Sequence, residues 1–322
     1  MEKIAILTSG GDAPGMNSCI YTIFQMCKLN DIELYGVRRG YAGLIEGDIF
    51  KIESDNVSNI NNLGGSFLGT SRCKDFETKG GRKMAGQNLE TLGIDCLIAI
   101  GGNGTFAGLD AFREVFPNVI GVPGTIDNDL GYTERTIGFD TAVNNAVDSI
   151  DIIRQTMLTN CRISIIETMG RNCGLIALYS ATASNADIVI TKEKPKTYEE
   201  IKHLVLQQLE MGNVAPTLVV AEKLMDVHEL ATNLEHELSV ESRGIVLGYI
   251  QRGGSPTVAD RILAMRYGVE AVKFAVEEKF GTMLGLNNNE IKGFDLKNFK
   301  KIDAKFDEQL YNEFCARNSE RI

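Results

Sequence analysis

Short apolar runs alternate along this chain with longer segments in which apolar positions repeat every three or four residues. The short runs are rich in β-branched residues and predict buried strands. They read KIAILT, IELYGV, CLIAI, NVIGV, RISIIE, DIVIT, TLVVAE and GIVLGYI. The longer segments predict helices, among them residues 141–158, 198–211, 227–238 and 257–279. Thr197 and Glu200 form a capping box at the start of one of these helices. This alternation is typical of an α/β fold with mostly parallel sheets.

The number of predicted strands indicates more than one sheet. Eight strands are many for one sheet, and the long helix predicted after the segment TIGFD marks the start of a second layer. We therefore expect two Rossmann-like three-layer lobes with a cleft between them. No linker rich in Pro or Ser marks a border, so the chain is expected to cross between the lobes more than once.

Composition and charge narrow the class of protein. The 322 residues are 43% hydrophobic and 24% charged, which is typical of a globular chain with a large core. A formal net charge of −10, without a block of Lys or Arg, argues against nucleic acid and anionic membranes as partners. The seven cysteines include no Cys-x-x-Cys pair, so neither a disulfide framework nor a zinc ribbon is expected. No apolar run approaches the roughly 18 residues of a membrane span, and we expect a cytoplasmic protein.

Glycine-rich loops follow most of these strands, at the edge where open α/β sheets bind ligands. A glycine pair after one strand is more often only a tight turn, but glycine with a polar or charged residue follows five of six strands. The five loops are SGGDAPGMN, GGNGTFAG, PGTIDND, TMGRNCG and QRGGSP, and Lys223 follows the sixth strand. This recurrence predicts a site for an anionic ligand.

The loop GGNGTFAG was compared with two phosphate-binding motifs. No Gly-Lys dipeptide occurs in the chain, which excludes a P-loop. Gly102, Gly104 and Ala107 fit the dinucleotide pattern G-x-G-x-x-[GA]. The next strand, however, ends in Val122 and Pro123, without the acidic residue that would hold a ribose. The dinucleotide interpretation therefore lacks its confirming residue.

Two aspartates in the loop PGTIDND indicate a specific chemistry more clearly than the glycine-rich loops do. Asp127 and Asp129 are spaced i, i+2, so both carboxylates face the same side if the segment is extended. One could then accept a proton from a hydroxyl while the other helps to hold Mg²⁺. The alternative is an Asx-rich turn without catalytic function.

Four arginines flank two predicted strands. Arg171 and Arg252 follow their strands, whereas Arg162 and Arg243 precede theirs. A strand of about eight residues separates the members of each pair by roughly 25 Å, so one site in one chain cannot use all four. If they are functional rather than ordinary surface charge, the first two serve this chain's cleft and the second two reach the cleft of another subunit.

Taken together, these motifs resemble those of the bacterial ATP-dependent 6-phosphofructokinases over nearly the full length of the chain. The segments that carry the resemblance are LTSGGDAPGMN, GGSFLGTSR, IGGNGT, PGTIDND, TIGFDTA, MGR, ESRGIVLGYIQRGGSP and DRILA. The resemblance implies a homotetramer with shared active sites that transfers the γ-phosphoryl of ATP to O1 of fructose 6-phosphate, with Mg²⁺. It also implies an ATP-binding lobe of residues 1–138 and 251–301, and a fructose 6-phosphate-binding lobe of residues 139–250 and 302–322.

The resemblance also implies a role for each matching residue. The catalytic residues are the base Asp127 with Thr125, Arg171 and Arg72. The ATP-binding residues are Gly11, Tyr41, Arg72, Cys73, Gly102, Asn103, Gly104 and Thr105. The residues of this chain that bind the sugar phosphate are Thr125, Ile126, Asp127, Met169, Gly170, Arg171, Glu222, Tyr249, Ile250, Gln251 and Arg252. The neighbouring subunit adds Arg162 and Arg243, and the metal residues are Asp129 and Asn103.

The chain departs from the family at two of these positions. Tyr249 replaces a histidine, which predicts weaker sugar binding because a phenol carries no positive charge. Asn103 replaces an aspartate and loses a negative charge near Mg²⁺, which predicts a defect of about tenfold in rate or in Mg²⁺ dependence. The small residues Gly104 and Gly124 match the family members that use ATP rather than pyrophosphate.

The regulatory site of the family is also altered. The aligned positions carry Tyr21, Gln25, Ser54, Met211 and Asn213 instead of a basic cluster. Arg154 remains as a single cation and Asp187 as an acidic remnant, which is little charge for binding a diphosphate. We therefore expect weak regulation by ADP and phosphoenolpyruvate.

Two other functions stay open. NAD and lipid kinases share a G-G-[DN]-G-T loop, although they would not explain PGTIDND, MGR and IQRGGSP together. The second alternative is a catalytically weak or regulatory phosphofructokinase-like subunit, which Asn103 and Tyr249 favour.

Overall fold

The computed structural model describes residues 1–300 and 304–318. Residues 301–303 and 319–322, which the domain prediction distributes over both lobes, lie outside the described residues. The chain divides into two compact units. The first contains Met1–Thr141 and Arg252–Ala304, and the second contains Ala142–Gln251 and the described residues from Lys305 onward.

Strands and helices alternate through most of the described chain. The strands are β1 Lys3–Thr8, β2 Glu33–Val37, β3 Ile49–Lys51, β4 Cys96–Gly101, β5 Val119–Pro123, β6 Ile163–Thr168, β7 Ile188–Ile190, β8 Thr217–Ala221, β9 Ser242–Val246, β10 Thr282–Asn287 and β11 Glu290–Asp295. The helices are α1 Met16–Leu29, α2 Tyr41–Glu46, α3 Ser54–Val57, α4 Lys79–Leu92, α5 Asn103–Phe112, α6 Phe139–Thr159, α7 Leu175–Ala183, α8 Tyr198–Glu210, α9 Val227–Leu238, α10 Val258–Val276 and α11 Glu308–Arg317.

The sheet of the first unit is parallel in its centre and antiparallel at both edges. Its described strands lie in the order β11-β10-β5-β4-β1-β2-β3. The β2–β3 and β10–β11 pairs are antiparallel, and the other pairs are parallel. Asn288 and Asn289 join β10 to β11 and both have positive φ, at 50° and 59°. Two-residue hairpin turns of this kind favour asparagine.

Strand register in this sheet brings three strand ends together. Thr8 of β1 pairs with Ile100 of β4, and Gly101 of β4 pairs with Pro123 of β5. Since all three strands are parallel, the loops that follow them emerge at the same edge of the sheet.

The second unit contains a four-stranded parallel sheet in the order β7-β8-β6-β9. Ile163 and Ile165 of β6 pack into one apolar cluster, and Ile166 packs into another. Because successive side chains point to opposite faces of a strand, this sheet is covered on both sides. Phe314 and Cys315 of α11 belong to the cluster that contains Ile166.

The predicted α/β fold class with mostly parallel sheets is confirmed, as is the capping box. Thr197 Oγ1 accepts from the N–H of Glu200, and Glu200 Oε2 accepts from the N–H of Thr197 at 2.7 Å. The pattern missed β3, β10 and β11, which pair at the sheet edges. β3 is short and β11 is largely exposed, so neither has a continuous apolar run. β10 has a buried centre, in which Gly285 interrupts the apolar residues.

One predicted strand is wrong in its second half. The segment GIVLGYI is extended only to Val246, and Gly248–Arg252 forms a 3₁₀ helix. Gly248 has a φ of 55°, which turns the chain out of the strand. The fully buried Gln251 side chain donates to the carbonyl of Gly248 at 3.0 Å and stabilises this turn.

A buried carboxylate anchors the start of α6 within the first unit. Asp260 of α10 accepts hydrogen bonds from the N–H of Gly138 at 2.8 Å and from the N–H of Thr141 at 2.7 Å. The hydroxyl of Thr141 donates to the same carboxylate at 2.5 Å. Burial raises the pKa of Asp260 to about 6, although these hydrogen bonds oppose the increase. The folded protein therefore holds a proton on this carboxyl at a pH where the unfolded chain has lost it.

This difference predicts a pH-dependent effect of the substitution Asp260→Asn. The folded-state pKa of Asp260 lies above the unfolded value, so its contribution to stability is full below about pH 4 and is lost as the pH rises through about 6. Asparagine cannot titrate. The unfolding free energy of the wild type minus that of the variant should therefore fall between pH 4 and pH 7, by on the order of 3 kcal/mol at most. Urea unfolding at both pH values measures this difference, and a constant difference would contradict the assignment.

Candidate active site

Main-chain contacts join the loops that follow β1, β4 and β5. The N–H of Ser9 donates to the carbonyl of Ile100 at 3.0 Å, and the N–H of Gly124 donates to the carbonyl of Gly101 at 2.9 Å. The buried hydroxyl of Thr105 donates to the carbonyl of Ser9 at 3.0 Å. The three loops predicted to bind an anion therefore form one continuous surface.

The segment IGGNGT is a strand end followed directly by a helix N-terminus. β4 ends at Gly101, and Gly102 is the N-cap of the ten-residue helix α5. A Cβ atom at Gly101 would lie 2.1 Å from Thr105 Oγ1 and 2.5 Å from the carbonyl oxygen of Ser9, so no side chain fits there. At Gly104 a Cβ would meet nothing within 4 Å. The first turn of α5 thus presents open space beside main-chain N–H groups, which is an arrangement that binds phosphate.

The two predicted metal residues lie next to each other. The side-chain amide of Asn103 donates to the main-chain carbonyl of Asp129 at 3.4 Å. The described residues contain no group of three or more His, Cys, Asp or Glu side chains that could hold a metal ion by themselves. Mg²⁺ commonly uses one or two protein ligands with water and substrate phosphates. The amide oxygen of Asn103 and the carboxylate of Asp129 fit a phosphate-bound Mg²⁺ rather than a cage made by protein alone.

Asp127 lies in the same loop and is 6% exposed. Its N–H donates to Thr125 Oγ1 at 3.3 Å, which places two of the predicted catalytic residues in contact. Ile126, between them, is fully buried. The segment is therefore a tight turn held on the sheet edge.

Tyr41 is buried against the first turn of α5. Its hydroxyl donates to the carbonyl of Thr105 at 2.6 Å, and its ring stacks on Phe76 with 3.9 Å between ring centroids. Burial raises the pKa of Tyr41 well above its usual value, so it stays a neutral donor. The sequence patterns did not predict Arg82, which donates to the carbonyls of Phe76 at 3.1 Å and Glu77 at 2.8 Å.

Two predicted nucleotide residues lie in the loop before Phe76. Cys73 is half-buried against the apolar cluster that contains Tyr41, whereas Arg72 is exposed. The structure therefore leaves the guanidinium of Arg72 accessible to a ligand.

The side chain of Arg252 contacts the loop that follows β1. Its Nη1 donates to the carbonyl of Asp12 at 2.9 Å, and a Cβ at Gly11 would lie 2.2 Å from Nη1. The family resemblance implies that Arg252 binds the sugar phosphate and that Gly11 binds ATP. In the structure the two residues are in contact.

Two side chains accept hydrogen bonds from the main chain of the MGR loop in the second unit. The N–H of Met169 donates to Gln251 Oε1 at 3.1 Å, and the N–H of Arg171 donates to Glu222 Oε1 at 2.6 Å. Gly170 has a φ of 145°, and a Cβ there would lie 2.4 Å from the carbonyl oxygen of Cys173. Of the predicted sugar ligands, Gln251 and Glu222 thus hold the main chain of this loop, while the Arg171 side chain stays exposed.

Two further predicted sugar ligands, Tyr249 and Ile250, are exposed. Tyr249 is 83% exposed and Ile250 is 57% exposed. Both lie in the 3₁₀ helix that replaces the end of the predicted strand. Their side chains are accessible to a ligand or to another subunit.

Glu241 brings Arg162 and Arg243 together. Arg162 Nε donates to Glu241 Oε2 at 2.6 Å, and Arg243 Nη2 donates to Glu241 Oε1. Arg243 also pairs with Glu235 at 3.2 Å. Hydrogen bonding to Arg162 is the main cause that lowers the pKa of Glu241, and Arg243 adds to it. The sequence patterns did not predict Glu241, because its role depends on the pairing of β6 with β9.

A complete strand separates Arg162 from the MGR loop, whereas only part of a strand separates Arg243 from Arg252. Arg162 directly precedes β6, and the six residues of this strand separate it from the MGR loop by roughly 20 Å. Arg243 lies inside β9 rather than before it, since β9 begins at Ser242. The eight-residue strand expected between Arg243 and Arg252 is therefore wrong.

The two residues left at the altered regulatory site have partners within the second unit. Arg154 donates to the carbonyl of Ser184. Asp187 accepts from the N–H of Thr217 at 2.7 Å, so its carboxylate caps an end of the sheet. Both side chains already have local hydrogen bonds.

Strand-end loops of an α/β fold that carry a helix N-terminus, aspartates and arginines are typical of nucleotide-dependent phosphotransferases. The model of the phosphofructokinase family matches residues 3–275. The chain belongs to the phosphofructokinase family.

Named relatives agree with this assignment. ATP-dependent 6-phosphofructokinase 1 of Clostridium perfringens is 44% identical over 99% of this chain and 100% of its own length. An ATP-dependent 6-phosphofructokinase of Clostridium botulinum is 42% identical over 97% of this chain and 98% of its own length.

Solved structures show the same fold. Phosphofructokinase from Saccharomyces cerevisiae matches with a TM-score of 0.92 and 30% identity over 99% of this chain, which spans 50% of the yeast chain. A pyrophosphate-dependent phosphofructokinase from Marinobacter aquaeolei matches with a TM-score of 0.86 and 19% identity, over 96% of this chain and 86% of its own. The second likeness concerns the fold alone. No helix among the described residues is long and apolar enough to cross a membrane.

Proposed function

We propose that the protein is an ATP-dependent 6-phosphofructokinase, which transfers the γ-phosphoryl of ATP to O1 of fructose 6-phosphate and yields fructose 1,6-bisphosphate and ADP. The observation that carries the proposal is the contact between the α5 loop and the loop of Asp127 and Asp129. The N–H of Gly124 donates to the carbonyl of Gly101, and the amide of Asn103 reaches the carbonyl of Asp129. A phosphate-binding helix N-terminus and a candidate base are thereby held side by side.

The α5 N-terminus and the loops around it bind ATP in this proposal. Main-chain N–H groups of Gly102–Thr105 contact the phosphates, with Gly11, Tyr41, Arg72 and Cys73 completing the nucleotide site. Asp129 and Asn103 would hold Mg²⁺, which neutralises phosphate charge when it is bound. Supporting the fit, Gly104 leaves open space where a phosphate would approach the main chain.

Asp127 is the proposed base for the O1 hydroxyl of the sugar. A carboxylate in this position accepts the proton as the hydroxyl oxygen attacks the γ-phosphorus and the bond to the β-phosphate oxygen breaks. Thr125 contacts the N–H of Asp127 and helps to hold the turn. Arg72 and Arg171 stabilise the charge on the moving phosphoryl group, and the exposure of both guanidiniums supports this role.

The sugar phosphate is proposed to bind through Thr125, Ile126, Asp127, Met169, Gly170, Arg171, Glu222, Tyr249, Ile250, Gln251 and Arg252, with Arg162 and Arg243 of a neighbouring subunit. The hydrogen bonds of Gln251 and Glu222 to the MGR loop support a preformed loop. Sharing of sites between subunits implies a homo-oligomer, which we propose is a tetramer. The reaction is a step of glycolysis, and we propose a cytoplasmic location.

Two glycines support ATP rather than pyrophosphate as the phosphoryl donor. At Gly124 a Cβ would lie 2.7 Å from Ile100 Cγ2, so a larger residue there would displace the end of β4. Gly104 has no such neighbour, and a side chain there would fill only the space proposed for phosphate. Weak response to ADP and phosphoenolpyruvate is proposed from the local partners of Arg154 and Asp187.

Turnover tests the proposal directly. The purified protein with Mg²⁺, ATP and fructose 6-phosphate should form ADP in a coupled assay, whereas NAD, diacylglycerol and pyrophosphate should not substitute for the sugar or for ATP. The substitution Asp127→Ser should reduce kcat by about a thousandfold or more, because it removes the base. Turnover equal to that of Asp127→Ser would instead support a regulatory subunit, and activity with NAD or lipid would support the other kinase classes.

The substitution Asn103→Asp tests the metal assignment. A carboxylate beside Asp129 restores a negative charge near Mg²⁺, so turnover at limiting Mg²⁺ should rise about tenfold. The matched control is Gln87→Glu, which adds the same charge on an exposed face of α4. Rate and Mg²⁺ response that do not change in Asn103→Asp, or that change equally in the control, would contradict a metal role for Asn103.

Mixing two inactive variants tests the sharing of sites between subunits. Asp127→Ser and Arg162→Ala should each be nearly inactive alone. After joint dissociation and reassembly, half of the paired subunits are hybrids with one complete site of two, so about a quarter of the wild-type activity should return. Asp127→Ser mixed with Arg171→Ala is the control, because both residues belong to one chain's site and no complete site can form. Equal recovery in both mixtures, or none in the first, would contradict the shared site.

A further inference from the structure

A short segment lies along the loop that carries the candidate base. We call residues Thr133–Gly138 the strap and residues Gly124–Asp129 the reaction loop. The N–H of Ile137 donates to the carbonyl of Pro123 at 3.0 Å, and Ile137 forms a parallel bridge with Gly124. The strap therefore continues the sheet at the point where the reaction loop leaves β5.

Asn128 connects the reaction loop to the strap through its side chain. Its Oδ1 accepts from the N–H of Thr136 at 2.9 Å, and its Nδ2 donates to the carbonyl of Glu134 at 3.1 Å. The residue is 6% exposed, so water cannot easily replace these partners. Asn128 also has a φ of 51°, a left-handed conformation that asparagine tolerates better than most residues.

Thr136 of the strap also binds the reaction loop through its own side chain. Its hydroxyl donates to the carbonyl of Thr125 at 2.6 Å and lies 3.2 Å from Asn128 Oδ1. Thr136 is 1% exposed. The two residues on either side of Ile126-Asp127 are thus both bound to one residue of the strap.

The far end of the strap is also anchored. The N–H of Gly138 donates to the buried carboxylate of Asp260 at 2.8 Å. At Gly138 a Cβ would lie 2.6 Å from the Cβ of Ala13, so the main chain is closely packed at this end. The strap cannot shift without breaking contacts at both ends.

We propose that Asn128 and Thr136 are positioning residues that hold the reaction loop in the geometry in which Asp127 accepts the proton of the sugar hydroxyl. The inference rests on the proposed function, because it assigns Asp127 to that step. Neither residue is among those proposed to touch a substrate. Their contacts hold the reaction loop at Thr125 and Asn128, on either side of Ile126 and Asp127. Errors of about 1 Å in the position of a reacting group reduce rates by roughly a hundredfold. Loss of the strap contacts therefore lowers kcat while leaving substrate binding nearly unchanged.

The substitutions Thr136→Val and Thr136→Ser form the central test. Valine keeps the shape but removes the hydroxyl, whereas serine keeps the donor to the carbonyl of Thr125. Thr136→Val should lower kcat by about tenfold or more, and change KM for ATP and fructose 6-phosphate by less than about threefold. Thr136→Ser should stay within about twofold of the wild type. The substitution Asn128→Gly is a second variant that accepts the left-handed φ and removes the side chain with its amide, and it should behave like Thr136→Val.

Amide hydrogen exchange separates this inference from the proposed function. Peptides that cover residues 124–129 should exchange at least about tenfold faster in Thr136→Val than in Thr136→Ser, whereas peptides of β6 and β8 in the second unit should exchange equally in the two variants. If the wild type turns over neither substrate but this exchange difference is present, the proposed function fails and the strap contact stands. Equal exchange in the two variants, or faster exchange with kcat unchanged, would overturn the proposal.

Discussion

The structure depends on the close approach of three main-chain turns at one edge of the first sheet. The turns after β1, β4 and β5 are joined by hydrogen bonds from Ser9, Thr105 and Gly124. A Cβ at Gly101 would overlap both Thr105 and Ser9, so any side chain there would force the turns apart. The parallel pairing of β1, β4 and β5 is what allows this contact, since it places the three carboxyl ends in register. This pairing places the α5 N-terminus and the reaction loop next to each other.

This arrangement explains how a chain with a net charge of −10 binds anionic substrates. In the proposed site, main-chain N–H groups at the start of α5 attract phosphate without a local excess of cations. The arginines of the second unit are placed by carboxylates instead, as Glu241 places Arg162 and Arg243. Asn103 contacts the main chain of Asp129 but carries no charge. In the proposed site, phosphate binding by the main chain and the response to Mg²⁺ are therefore separate properties.

Sequence patterns were sufficient for the fold class and for the loops of the first unit. Both depend on local signals, namely β-branched runs and glycines directly after them. Contacts between residues that are distant in the sequence leave no local pattern of this kind. The early end of β9 depends on Gly248 and on a hydrogen bond from the buried Gln251, and the role of Glu241 depends on the pairing of β6 with β9. The contact of Asn128 with Thr136 requires a chain reversal between them, which no periodicity in the sequence indicates.

The three joined loops are proposed to form one binding site for the phosphates of ATP. Amide hydrogen exchange during a titration with Mg²⁺ and ATP, without sugar, measures this most directly. Peptides covering residues 10–12, 102–105 and 125–129 should gain protection together, with a single midpoint of ATP concentration. Protection of only one loop, or separate midpoints for the three, would contradict it.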